Sequence, residues 1–462
     1  ELELTLAEGG SYAVSEEKPT AKISVVTARD GLNLDWTGEG DGRDFNLRAN
    51  WDPQYAPESN DTVQVCAPSA GLSLAETKNT RVRNLYFTDV DEGAGKTSLD
   101  FGDHALDIVT KLYFQGADTA LSNGLLTTPA IQFGGTYDGH DCTKAGVSFS
   151  GITMPPATWS VASGATYDLT ITDSVISNTQ RSAMMYALAD NSSVTLDHSY
   201  FYTSDWIYGS TKSNTTFHIT NCSTVECYYA MQPQVRYSRI VIDGNSRVVG
   251  KNRDNKFAAD ANACGNVFAI SNSYYSGEMV VNGRDGTAYV HDSSIGSVGV
   301  TAVNGRLYIT GTNTEVRGGA VSFSSTNGYV SLRDARQPSK LDANNGFTFE
   351  AKSARNTFRL GKCGDVCSIN ILRTYTNSFD NAIIVEGGGS MRFSRANEPN
   401  NNFAFNGQTN RWVIKDGTIT VNPLSFSALP ESDGCAIECA DDASKMTFTS
   451  TLTAGNDDPC AG

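Results

Sequence analysis

Two carboxylates and an imidazole recur at matched positions of one repeated phrase, and their types and spacing suit glycoside chemistry. Asp197 ends SSVTLD, His218 lies within TTFHIT, and Asp243 ends SRIVID. If these phrases are strands stacked rung on rung, the two carboxylates stand two rungs apart, roughly 9.6 Å between backbones at about 4.8 Å per rung. That is close to the separation of about 6.5 to 9.5 Å with which an inverting glycosidase admits a water between acid and base. His218 on the intervening rung would tune the acid. Tyr289 and Tyr308 fall on the same face farther along, where their rings would stack on sugars. The competing reading is a solvated, mixed-charge sheet face. A long solenoid with two outward sites per rung brings three titratable residues together by chance often enough to favour that reading.

What positions these residues is the phrase itself, which recurs from Tyr167 to Val316 as YDLTITDS, SSVTLDHS, TTFHITNC, SRIVIDGN, NVFAISNS, TAYVHDSS and RLYITGTN. Its anchors are Ile171, Leu196, Ile219, Ile242, Ile270, Val290 and Ile309, continuing with Leu332, Leu360, Phe393 and Ile414. Two residues before each stands another apolar residue, among them Leu169, Phe217, Phe268, Phe358 and Trp412. This period of two predicts strands with one buried face. Past each anchor come a polar residue and then a small one, as in Asp173-Ser174, His198-Ser199, Asn221-Cys222 and Gly244-Asn245, which predicts a tight bend. In this pattern His198 takes an inward place at the bend, held by hydrogen bonds.

The anchors lie 19 to 33 residues apart. Left-handed β-helices keep a near-constant hexapeptide period, whereas this scatter fits a coil with regular strands and variable loops, so the expectation is an all-β, right-handed parallel β-helix. Weaker rungs centred on Phe87, Phe114, Phe149 and Phe448 bring the count to about fifteen. The chain then divides into an N-terminal strand, cap and irregular entry segment (1–80), the β-helix (81–455) and a C-terminal tail (456–462). In the entry segment Leu2, Leu4 and Leu6 alternate with polar residues. They predict a strand buried either against its own chain or against a second copy.

Among 462 residues the formal net charge is -16 and the pI about 4.8, which opposes binding to nucleic acid or to an anionic membrane surface. No 18-residue apolar run predicts a membrane span. Glu1 in place of a starter methionine reads as a processed, secreted product. Ten cysteines fit that compartment, with Cys222–Cys227, Cys363–Cys367 and Cys435–Cys439 the expected disulfides, because neither CxxC spacing nor nearby histidines favour a metal. No cofactor or metal site is expected.

The ITDS, ITNC and ISNS phrases resemble the polar ladder of the pectate-lyase-like superfamily of right-handed β-helices and the β-helix repeats of bacterial surface proteins and adhesins. The resemblance spans about residues 81–455 and implies architecture more than activity, since that superfamily holds lyases, hydrolases, tailspikes, adhesins and structural proteins. Polygalacturonase-like members carry further catalytic motifs, of which only Gly139-His140-Asp141 has a counterpart here, so no catalytic residue transfers. The expectation is a secreted structural or adhesive solenoid at the cell surface, self-associating head to tail and open to an extracellular glycan. The alternative is a polysaccharide-degrading enzyme using Asp197, His218 and Asp243.

Overall fold

The computed structural model describes residues 30–448 apart from short internal stretches, the longest being 179–188, 204–212, 228–235 and 394–401. The alternating leucines near the start lie outside the described residues. The chain is a parallel β-solenoid of about 12 turns with almost no helix. At about 4.8 Å per turn the coil is roughly 58 Å long.

Strands of successive turns stack in register. The first stack carries the repeated phrase and runs through Thr166–Thr172, Ser193–Asp197, Thr216–Thr220, Arg239–Ile242, Val267–Ser271, Thr287–His291, Arg306–Thr310, Tyr329–Leu332, Thr357–Leu360, Ala382–Glu386 and Arg411–Lys415. After a bend, a second stack runs through Val175–Asn178, Tyr200–Thr203 and Thr224–Cys227 and continues to Ser390–Phe393, Thr418–Val421 and Lys445–Phe448. Short strands such as Val321–Phe323, Phe347–Phe349 and Leu372–Thr374 form a third. Alternation puts the apolar half of each first-stack strand inside: Ile242 is 0% and Ile270 1% exposed, which fixes the register expected from the phrase.

The expected fifteen rungs exceed the observed number because several apolar pairs belong to other stacks. Phe393 pairs with Ser368 and Val421, and Phe448 with Val421, all in the second stack. Phe87 and Phe114 align with Val65 and Phe133 in a separate stack of the early coils. The true successor of Leu360 is Val385, which aligns with Ile414. AIIVE alternates as the other phrases do but is followed by Gly-Gly-Gly rather than a polar bend, which hid it. Parallel stacking also begins before residue 81, since Asn33–Trp36 pairs with Thr62–Cys66, and that strand with Thr80–Thr88.

The bends explain the polar residues after each anchor. Asp173, His198, Asn272 and Asp292 have φ of +44° to +49°, a left-handed conformation that Asn and Asp tolerate better than most. The bends at Asn221-Cys222 and Gly244-Asn245 each use two consecutive left-handed residues. The extra residue moves the small buried position to Ser223 and Ser246, one place later than the column expected at Cys222 and Asn245. Buried serines then tie turn to turn: the amides of Ile152, Ser174 and Ser199 donate to the Oγ atoms of Ser174, Ser199 and Ser223 at 3.0 to 3.1 Å. His198 is exposed rather than inward, because its left-handed backbone turns the side chain out to Asp173, whose Oδ1 lies 2.6 Å from Nδ1.

Residues 33–52 build an aromatic plug. Trp51–Asp52 pairs antiparallel with Asn33–Trp36, and Trp51 meets both Trp36 and Phe45 edge-on at 5.0 Å. Buried Asn50 accepts from the Gly40 and Gly42 amides and donates to Asp41 Oδ1 at 2.7 Å. That bond and the Arg43 and Asp44 amides bring the Asp41 carboxyl down to about 2.

The expected Cys222–Cys227 disulfide is not formed. Cys222 points outward from the left-handed bend and Cys227 inward from the following strand, and both thiols are free. Burial pushes the Cys227 thiol up to about 12. Cys439 is likewise free and exposed, while Cys363 and Cys435 lie outside the described residues and Cys367 is described only as part of a strand.

Candidate functional site

Two of the three titratable residues come together. His218 is the middle outward residue of Thr216–Thr220, aligned with Thr195 and Val241 on adjacent turns. Asp243 directly follows Ile242, whose partner is Ile219, so it stands two residues along the strand from the level of His218 and one turn on. This diagonal brings His218 Nε2 to 3.0 Å from Asp243 Oδ2 and 3.1 Å from Oδ1, with each side chain about one-third exposed (34% and 32%). Asp197 takes a different partner. It aligns with Thr220, and its Oδ1 accepts from Asn221 Nδ2 at 2.8 Å. The intervening turn therefore offers Thr220 between the carboxylates, while His218 serves Asp243.

The tyrosines also meet, but as a ladder. Tyr289 and Tyr308 align on neighbouring turns, with ring centroids 5.3 Å apart and planes within 12°. Tyr329 extends the column at 5.8 Å from Tyr308. It escaped the sequence reading because it sits two residues earlier in its strand, at the position aligned with Arg306. Beyond it Arg359 pairs doubly with Glu386, Nε to Oε1 at 2.5 Å and Nη2 to Oε2 at 2.8 Å. Hydrogen bonding to Glu386 raises the guanidinium pKa further. Stacking on Tyr308 covers one face of the Tyr289 ring; the side chain remains 47% exposed.

Between His218 and Tyr289 lie two turns with short side chains in the middle column. Val241 aligns with Ala269, and Ala269 with Tyr289, so the middle column of the sheet reads His218, Val241, Ala269, Tyr289. Three turns separate the imidazole from the ring, roughly 14 Å between backbones. The floor is half-buried Val241, Val267 and Ala269, with Asp243 and Ser271 along one edge and exposed Arg239 at the other. His291 continues the Asp243 edge, its Nδ1 3.1 Å from Thr310 Oγ1 and its Nε2 3.1 Å from Asp292 Oδ2. The result is a trough walled at one end by an acid-paired imidazole and at the other by an aromatic face.

Elsewhere Arg247 lies over the Tyr274 ring at 4.8 Å. Among the described residues, no three His, Cys, Asp or Glu side chains gather as a metal site would require, and no helix is long and apolar enough to cross a membrane. No family model matches the chain, and neither a curated protein nor a solved structure matches it.

Proposed function

We propose that the chain is a structural or adhesive β-solenoid acting outside the cytoplasm, at a cell surface, where copies associate end to end. The observation that carries this reading is what the polar residues of the bends and strand faces are bonded to. Asp168 accepts from Ser193, Asp173 holds His198, Asp197 accepts from Asn221, and Asp285 accepts from Asn304, which in turn accepts from Asn327. Each bond joins one turn to the next, so residues capable of chemistry serve to fasten the coil. The parallel coil and its bend after the first stack also fit kinship with the pectate-lyase-like right-handed β-helices. The cysteines lend no support, because five of those described are free. A coil offers complementary cross-sections at its two ends, and a head-to-tail contact that does not close makes a filament. Negative-stain imaging and light scattering of the purified chain test the assembly: end-to-end filaments are expected, and isolated rods at every concentration would overturn it.

The second reading, polysaccharide degradation, is favoured by one contact, the His218–Asp243 pair on the exposed face. It requires a partner acid, and Asp197 is the carboxylate in the matching column. Asp197 is hydrogen-bonded to Asn221 in the bend, which makes the pair a weaker basis for catalysis than for fastening.

A further inference from the structure

We infer that the trough between His218 and Tyr289 is a binding subsite for an uncharged pyranoside chain; this rests on the adhesive reading and supplies the ligand class that it lacks. The Tyr289 ring lies nearly parallel to that of Tyr308 one turn on, so its other face looks along the coil axis, over Ala269. Among the described residues, the side chain aligned beneath that face is the methyl of Ala269, which lets the face pack against the C–H side of a sugar ring standing upright there. Tyr308, backed by Tyr329, holds the ring from behind, so little side-chain freedom is lost on binding. Such preorganised aromatic area with a polar rim is how small polar-apolar ligands are held.

The rim supplies the hydroxyl contacts. Asp243 keeps acceptor capacity beyond its contact with His218, since an ionised carboxylate has about four lone-pair sites, and its position beside Ser271 sets two polar groups along one edge of the sugar. Arg239 stands at the opposite edge. One carboxylate and one guanidinium leave the trough without a strong charge of its own, and a net charge of -16 repels a polyuronate from the molecule as a whole. The chemistry that fits is therefore a neutral hexose or N-acetylhexosamine oligomer.

The test uses the full chain, with calorimetric titration of glucose, mannose and N-acetylglucosamine hexasaccharides, and oligogalacturonate as the charged probe. Ala269→Leu fills the trough without altering charge, Tyr289→Ala removes the platform, and Thr170→Ala, on the same face beyond His218, is the control. At least one neutral hexasaccharide is expected to bind. Ala269→Leu and Tyr289→Ala should each weaken it about tenfold or more, a shift read directly from Kd, with thermal unfolding unchanged for Ala269→Leu and Thr170→Ala. No binding of any neutral probe, wild-type affinity in either trough variant, or a preference for oligogalacturonate would overturn the assignment. Adhesion of the full chain to polysaccharide-coated surfaces separates the two readings: if wild type and Ala269→Leu adhere equally, the trough is refuted and the adhesive reading stands. If a neutral hexasaccharide binds in the trough but the chain does not adhere, the adhesive reading fails alone.

Discussion

The corner that leads into the first stack is fastened differently in the two halves of the coil. In the upstream half successive turns place a small hydroxyl there, and the turn before the glycines an asparagine: the Tyr167 amide donates to Ser192 Oγ at 3.0 Å, the Thr215 amide to Ser238 Oγ at 3.3 Å, the two hydroxyls of Thr215 and Ser238 lie 2.7 Å apart, and the Ser238 amide donates to Asn266 Oδ1 at 2.9 Å. Downstream the same position holds Asn356, Asn381 and Asn410. The Asn356 amide and side-chain Nδ2 both donate to Asn381 Oδ1 at 3.1 and 2.9 Å, and those of Asn381 to Asn410 Oδ1, each at 3.0 Å. Asn410 Nδ2 then donates to Ser378 Oγ at 3.0 Å. Gly286, Gly305 and Gly328 separate the two regimes; at Gly305 a Cβ would come within 2.9 Å of Val300 Cγ1, so apolar packing takes the place of a side-chain bond there.

A serine satisfies a neighbouring amide with one oxygen, whereas an asparagine receives two donors and passes its own amide hydrogens onward. The downstream corner should therefore be the stiffer one and the more sensitive to a single break. Outside the corner the halves share one core, which gives the reference for measuring that difference. Ile242→Ala upstream and Ile383→Ala downstream each remove a side chain that is 0% exposed, and each should cost about 2 to 5 kcal/mol in denaturant unfolding. Unequal losses would place the difference between the halves in the core and not in the corner.

Next in size is the corner itself. Asn381→Ala strands the Asn356 amide and cuts the ladder on both sides, an expected loss of about 3 kcal/mol; Ser238→Ala, which strands the Thr215 amide, should cost about 1 to 2 kcal/mol. Equal losses in the same unfolding assay would remove the distinction between serine and asparagine fastening. Smallest is the plug ahead of both halves. The folded Asp41 carboxyl sits at about 2, below its ordinary 3.8, so its stabilising contribution is complete above the unfolded value and disappears as pH falls from there through about 2. Tryptophan fluorescence from Trp36 and Trp51 should report loosening only in that window, and Asp41→Asn should remove that pH dependence.

How much of this was legible follows from local chemistry. The alternation around Ile219, Ile242 and Ile270 exposed the buried face of the first stack, because a period of two survives any loop length. The bend residues were legible by type, since left-handed backbone favours Asp, Asn and Gly, but the number of them per bend was not, which displaced Ser223 and Ser246 by one position. The asparagine ladder was missed because Asn356, Asn381 and Asn410 precede strands and look like ordinary turn residues; their burial comes only from stacking. In the candidate site, the outward column gave His218, Asp243, Tyr289 and Tyr308 correctly as one face. It could not show that His218 would choose Asp243 over Asp197, because that choice depends on a diagonal and on Asn221 reaching Asp197 first.

The central claim is that the outward acids and histidines fasten turns and do not cleave bonds. It is tested most directly by measuring reducing ends and unsaturated products released from a broad panel of neutral and acidic polysaccharides by the intact chain and by Asp243→Asn. The expected result is no release from either protein, with Asp243→Asn still folded and its unfolding only slightly shifted by the lost His218 contact. Release by the intact chain that vanishes in a folded Asp243→Asn would contradict the claim and establish the enzymatic reading instead.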